Sequence, residues 1–122
     1  NLVTFLGWVD EIHSAMLESD LLVQASLDEA FGLSILEASA LGIPVATTTP
    51  GGVVEIISEF HPFVAPGDSL ALAEIMAKKA FEPSEKLEYI SGKMLERFSI
   101  SKMAIKYNVV YEKLNSRLKA GD

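Results

Sequence analysis

Ala25-Ser-Leu-Asp-Glu29-Ala-Phe-Gly32-Leu-Ser34-Ile-Leu-Glu37-Ala-Ser-Ala-Leu-Gly42-Ile-Pro44-Val-Ala-Thr-Thr-Thr-Pro50-Gly51-Gly52 is the stretch on which the fold turns. An apolar run of strand length, Leu21–Ala25, leads into a short loop that closes at Phe31-Gly32. Helix-patterned residues follow, with Glu37 one turn inside them. Seven residues separate Glu29 from Glu37. A helix start presents backbone N–H groups and the positive end of the macrodipole, which suits a phosphate. Helical side chains lean toward the N-terminus, so the Glu37 carboxylate can reach back over that seat. A carboxylate there can accept hydrogen bonds from a vicinal diol. One segment thus offers a diphosphate seat and two carboxylates for hydroxyl-rich groups, the chemistry needed to hold a nucleotide-sugar.

The stretch resembles the donor-binding motif of the retaining family 4 glycosyltransferases, which have the GT-B fold. Glu29, Phe31, Gly32, Leu33, Glu37, Ala38, Gly42, Pro44, Val45, Gly51, Gly52 and Glu55 match it. Ala30 stands where the family has glycine, and alanine carries a steric cost at positive φ that glycine does not. The resemblance runs through most of the chain, with Val3-Thr-Phe-Leu-Gly7 as a strand before the motif and Val64-Ala-Pro-Gly67-Asp68 as the strand and turn after it. It implies that Glu29 contacts hydroxyls of the transferred sugar as the catalytic-site carboxylate. It also implies that Glu37 holds the nucleotide's ribose hydroxyls. Phe31, Gly32, Leu33 and Ser34 would meet the ligand chiefly through backbone N–H groups, and Gly51 and Gly52 would border the sugar pocket.

Each residue also has a plainer reading. Glu37 could be an acidic residue favoured by the helix dipole alone. Glu29 could be loop solvation beside Asp28, Ser34 a polar residue at a helix start, and Gly51-Gly52 a bare turn. His13 and His61 have no partner at ligand spacing and read as structural or exposed. Tyr107 and Tyr111 read as helix packing. No metal is expected, because Asp28 and Glu29 alone supply too few oxygen ligands for a cation. No cofactor is expected beyond the nucleoside-diphosphate sugar as donor substrate.

The 122 residues fit one domain, and 49% of them are hydrophobic, enough for a core. There is no cysteine, which excludes disulfides and thiolate metal sites. Charge is segregated. Residues 1–77 carry eleven acidic side chains and no Lys or Arg, whereas residues 78–122 carry ten basic and six acidic ones. Nucleic-acid binding by the first part is therefore disfavoured. The motif half also has no side-chain cation of its own for a diphosphate. The resemblance implies an Arg and a Lys for that task, on a segment upstream of the position matching Asn1.

Alternating apolar strands and helices imply a parallel sheet covered on both sides. Expected strands are Leu2–Leu6, Leu21–Ala25, Pro44–Thr48 and Pro62–Ala65. Expected helices are Asp10–Ser19, Leu33–Leu41 stopped by Gly42, Val53–Ser58, one capped by Asp68 through Ala80, Ser84–Arg97 and Lys102–Leu118. The fold class is α/β: a Rossmann-like three-layer α/β/α arrangement with a parallel sheet of about four strands, a truncated GT-B C-terminal domain. The family order 3-2-1-4-5-6 would place two strands between Leu2–Leu6 and Leu21–Ala25. Direct parallel pairing of those two segments through the Asp10–Ser19 helix is the expected repair. Pairing of two copies at that edge, giving a homodimer, is the alternative.

The resemblance implies that residues 1–122 are a donor-binding domain lacking its first strands, with an N-terminal acceptor domain outside the chain. The whole enzyme would transfer a sugar to a glycan or lipid-linked acceptor, with bacterial surface-polysaccharide synthesis as the expected setting. Its expected place is the cytoplasm, with peripheral association at the inner face of the plasma membrane as one expected arrangement. The fragment alone is expected to be inactive. Two alternatives stay open: a non-catalytic nucleotide-sugar binding module, and another GT-B enzyme such as a nucleotide-sugar epimerase or a glycogen- or starch-type synthase.

Overall fold

The computed structural model describes residues 2–48, 52 and 59–120. Its elements, in chain order, are α1 (Ile12–Leu17), β1 (Leu22–Gln24), α2 (Leu33–Ala40), β2 (Val45–Thr48), β3 (Phe63–Val64), α3 (Ser69–Lys79), α4 (Ser84–Phe98) and α5 (Ile100–Ala120). The expected Val53–Ser58 helix, Gly51 and Glu55 lie outside the described residues.

The three strands form one parallel sheet in the order β1-β2-β3. Leu22, Val23 and Gln24 face Val45, Ala46 and Thr47, and β3 pairs with the end of β2 through Thr47–Phe63 and Thr48–Val64. All four β2 residues are buried, so both faces of this strand are covered. The helices packed on it include α2 and α3.

Ile35 and Ala38 of α2, Val45 of β2, Ile43, and Ile90 and Met94 of α4 form the core, with Met16 of α1 at its edge. Their burial is the main favourable contribution to this packing. Ser91 Oγ of α4 donates to the carbonyl of Ala40, 2.6 Å away, tying α4 to the end of α2. Asp68 caps α3 as expected, its carboxylate accepting from Ala71 N at 3.0 Å. Ser99, with ψ of 145°, ends α4, and its hydroxyl accepts from Lys102 N at the start of α5.

The α/β class with a parallel sheet holds as expected, with three strands among the described residues where about four were expected. Two expectations are corrected. Leu2–Leu6 forms no strand and pairs with none of the strands among the described residues; Phe5 and Trp8 are 94% and 90% exposed. Among the described residues β1 is therefore an edge strand, not a strand buried on both faces, and Val23 is exposed. The second correction concerns α5. Its stripe of Met103, Tyr107, Val110, Tyr111, Leu114 and Leu118 stands in solvent. Tyr107 and Tyr111 are 56% and 58% exposed and lean on each other, ring centroids 6.3 Å apart, without entering the core.

Candidate functional site

Parallel pairing carries the loops that follow β1 and β2 to the same edge of the sheet, the edge where open α/β sheets take ligands. Glu29 lies on the first of these loops and Gly52 follows the second. The two meet closely. A Cβ placed on Gly52 would sit 2.5 Å from the carbonyl oxygen of Ala30. Only a residue without a side chain allows that approach. The Gly-Gly turn and the Glu29 loop are thus brought together at Gly52; Gly51 is outside the described residues.

The Glu29 carboxylate is held at both oxygens. Gln24 Nε2, at the end of β1, donates to Oε2 at 2.6 Å. The backbone N–H of Gly32 donates to Oε1 at 3.1 Å. The Glu29 N–H is itself received by Asp28 Oδ1 at 3.0 Å. Gly32 closes the loop as the residue preceding α2, with φ 79° and ψ 49°. This left-handed conformation is open to glycine at little cost. Among the described residues no non-glycine has positive φ, Ala30 included. The departure at Ala30 therefore carries no backbone strain, and the left-handed step falls two residues later.

Gly32 is buried, whereas Phe31, Leu33 and Ser34 are exposed at the start of α2. Glu37 is half-buried one turn on. His13 of α1 lies alongside it, Nε2 3.9 Å from Glu37 Oε1, with both side chains open to solvent. Sequence reasoning gave His13 no partner because α1 and α2 are brought together only by the fold.

Two cations also arrive unannounced. A groove of about 380 Å³ runs beside the start of α2, lined by Phe31, Leu33, Leu36, Phe98, Met103 and Tyr107, with Arg97 and Lys106. The segregation of charge along the sequence is thus partly undone in space. Arg97 also lies 5.2 Å from the centre of the Phe98 ring. Gln24 is the other residue that sequence reasoning missed. Its signal was visible: an amide inside an otherwise apolar strand run, five residues before Glu29.

Among the described residues, no group of three or more His, Asp or Glu side chains is placed to hold a metal ion. No helix among them is long and apolar enough to cross a membrane.

Residues 1–94 match the family model of the glycosyl transferases group 1. The chain is 32% identical over 115 residues to the O-antigen biosynthesis glycosyltransferase WclY of Escherichia coli, covering 92% of this chain and 32% of that protein. It is 31% identical over 121 residues to the N-acetyl-alpha-D-glucosaminyl L-malate synthase of Bacillus anthracis, covering 89% and 30%. A sucrose synthase of Nitrosomonas europaea shares 42% identity over 82 residues, covering 62% and 10%. The chain therefore spans about a third of the length of the first two relatives, or less.

Proposed function

The chain belongs to the glycosyl transferases group 1 family, and on that premise we propose that it is the donor-binding part of a retaining glycosyltransferase. In this reading the protein moves a sugar from a nucleoside-diphosphate sugar to a glycan or lipid-linked acceptor. The acceptor is bound by a part of the protein beyond residues 1–122. The likeness to a relative named for O-antigen biosynthesis supports a setting in surface-polysaccharide assembly. A place on the cytoplasmic side is part of the proposal. Peripheral contact with the membrane's inner face, and pairing of copies at the open β1 edge, belong to the same proposal.

The observation that carries it is the Glu29 carboxylate, fixed between Gln24 and the Gly32 N–H at the doorstep of α2. A helix start seats the diphosphate. Glu29, at the loop just before it, is placed for hydroxyls of the sugar attached to that diphosphate. Glu37, one turn inside, takes the ribose diol on the nucleotide side. Phe31, Leu33 and Ser34 contribute N–H groups, and Gly52 walls the sugar side. No carboxylate need act as a nucleophile. The leaving diphosphate helps to deprotonate the acceptor, which attacks from the same face of the sugar. The seat stabilises charge as it develops on the leaving group.

The test uses the full-length protein with UDP-glucose, UDP-N-acetylglucosamine and GDP-mannose, and follows sugar transfer by mass spectrometry. Glu29→Gln should lower transfer by on the order of a hundredfold. Residues 1–122 alone should transfer nothing. Unchanged turnover in Glu29→Gln, or transfer by the fragment, would overturn the proposal.

A further inference from the structure

Gln24 occupies a position that an apolar residue would fill at less cost. It ends β1, a strand whose preceding residues are Leu21, Leu22 and Val23. Its backbone is fixed twice. It lies in register with Thr47 of the buried β2, and its carbonyl, 3.2 Å from the Thr47 hydroxyl, shares that proton with the nearer Thr48 carbonyl at 2.9 Å. Its side chain, half-buried, spends its amide on Glu29 Oε2 at 2.6 Å. A polar side chain rooted in the sheet therefore steers a carboxylate that belongs to a loop.

We infer that Gln24 is a positioning residue for sugar recognition, acting through Glu29; the inference rests on the reading of Glu29 given above. An ionised carboxylate offers about four acceptor sites. Gln24 takes one on Oε2, and the Gly32 N–H takes one on Oε1. One site remains on each oxygen, which matches two neighbouring hydroxyls of a sugar. Both protein partners are donors, so Glu29 is kept as an acceptor facing hydroxyl donors. With Gln24 replaced by an apolar residue of the same length, one oxygen loses its anchor. The loop carboxylate then turns about its side-chain bonds, and the geometry for the diol is lost. The nucleotide seat at α2 and Glu37 does not depend on Gln24, so free nucleoside diphosphate should bind as before.

This separation defines the experiment. The full-length protein is titrated calorimetrically with UDP-glucose, UDP-N-acetylglucosamine and GDP-mannose, and with UDP and GDP. The quantity read is the affinity of the best nucleotide-sugar relative to its own nucleoside diphosphate. Gln24→Met should lower that ratio by about ten- to a hundredfold, the weight of one hydrogen bond to a charged group. The affinity for the diphosphate alone should change less than about twofold. Gln24→Glu, which sets a second carboxylate against Glu29, should lower the ratio at least as far. In a Glu29→Gln background, Gln24→Met should add little, because the two residues act as a unit.

The outcomes separate the two ideas. If Glu29→Gln leaves the ratio unchanged, or if the unmodified protein binds none of the sugars, the reading of Glu29 fails. If Glu29→Gln lowers the ratio but both Gln24 variants leave it intact, the reading stands and the role of Gln24 is refuted. Equal loss of diphosphate and nucleotide-sugar affinity in Gln24→Met, with a lowered unfolding temperature, makes Gln24 a structural residue only and equally refutes it.

Discussion

Ser39 Oγ and His61 Nε2 lie 2.9 Å apart with both side chains buried, joining α2 to the residues just before β3. The Ser39 hydroxyl donates its proton to the carbonyl of Ile35 at 2.7 Å. It therefore accepts from His61, which places the imidazole proton on Nε2. Nδ1 is buried without a hydrogen-bond partner among the described residues. Burial, reinforced by the Lys79 ammonium, pushes the His61 imidazole down to about 4. The ring is thus neutral in the folded protein at neutral pH.

The sign of the pH dependence follows. The unfolded chain binds the His61 proton near the ordinary value of 6.5, and the folded chain only near 4. Stability is therefore full above pH 6.5 and falls as pH drops toward 4, by about 3 kcal/mol in all. Glu82 is lowered as well, below its ordinary carboxyl value of 4.5, and its contribution is lost only below that pH. Urea unfolding between pH 7 and pH 4.5 should show the fall, and His61→Gln should flatten it. A His61→Gln protein with the same slope would count against this origin.

Much of the sheet and most helix positions were legible, because period-2 and period-3.6 patterns and the Asp68 cap are local signals. Leu2–Leu6 misled because strand pattern is local but strand pairing is not. Its alternation is genuine, yet no strand among the described residues pairs with it. Tyr107 and Tyr111 misled in the same way: an apolar stripe reports that a face suits packing, not that something packs on it. In the site, Glu29, Gly32 and Glu37 stood out by spacing and resemblance. Gln24 showed only as an amide in an apolar run, five residues before Glu29. His13, Arg97 and Lys106 did not show, since each approaches the motif across the fold.

Gly52→Ala tests the meeting of the two loops. The added methyl carbon would lie 2.5 Å from the Ala30 carbonyl oxygen, so the backbone must yield. Overpacking of this kind costs about 1–3 kcal/mol. Nucleotide-sugar affinity should fall with it, since the displaced Ala30 follows Glu29 directly. Thermal unfolding and titration of the same sample check both effects. A variant of unchanged stability and affinity would show that the loops do not touch in solution.

Glu37→Gln tests the nucleotide side. A charge-assisted hydrogen bond becomes a neutral one, and nucleoside-diphosphate affinity should fall by about 1–3 kcal/mol. The preference for UDP over 2′-deoxy-UDP, or for GDP over 2′-deoxy-GDP, should shrink as well. His13 is within ion-pair distance of the same carboxylate but exposed, so His13→Ala should have a smaller effect, under about 1 kcal/mol. A ribose preference untouched by Glu37→Gln would remove Glu37 from the nucleotide site.

Lys79, Glu82 and Lys86 supply the last test. Lys79 ends α3, where the negative end of the helix dipole favours a cation, and it is only 4% exposed. Glu82 accepts hydrogen bonds from both lysines. Burial pushes the Glu82 carboxyl up, but the bonds from Lys79 and Lys86 outweigh it and hold the group below the usual carboxylate range. The two cations are not equivalent. The Lys79 side chain is buried and that of Lys86 is 53% exposed. Glu82→Gln leaves a buried ammonium without its counter-charge, and should destabilise the fold by about 3–5 kcal/mol. Lys86→Ala removes a solvent-screened partner and should cost under about 1 kcal/mol. Lys79→Met removes the buried charge while Glu82 keeps Lys86, so its cost should fall below that of Glu82→Gln. Urea unfolding at pH 7 gives all three values. If Lys86→Ala cost as much as Glu82→Gln, the buried Lys79 ammonium would not be the charge that Glu82 chiefly serves.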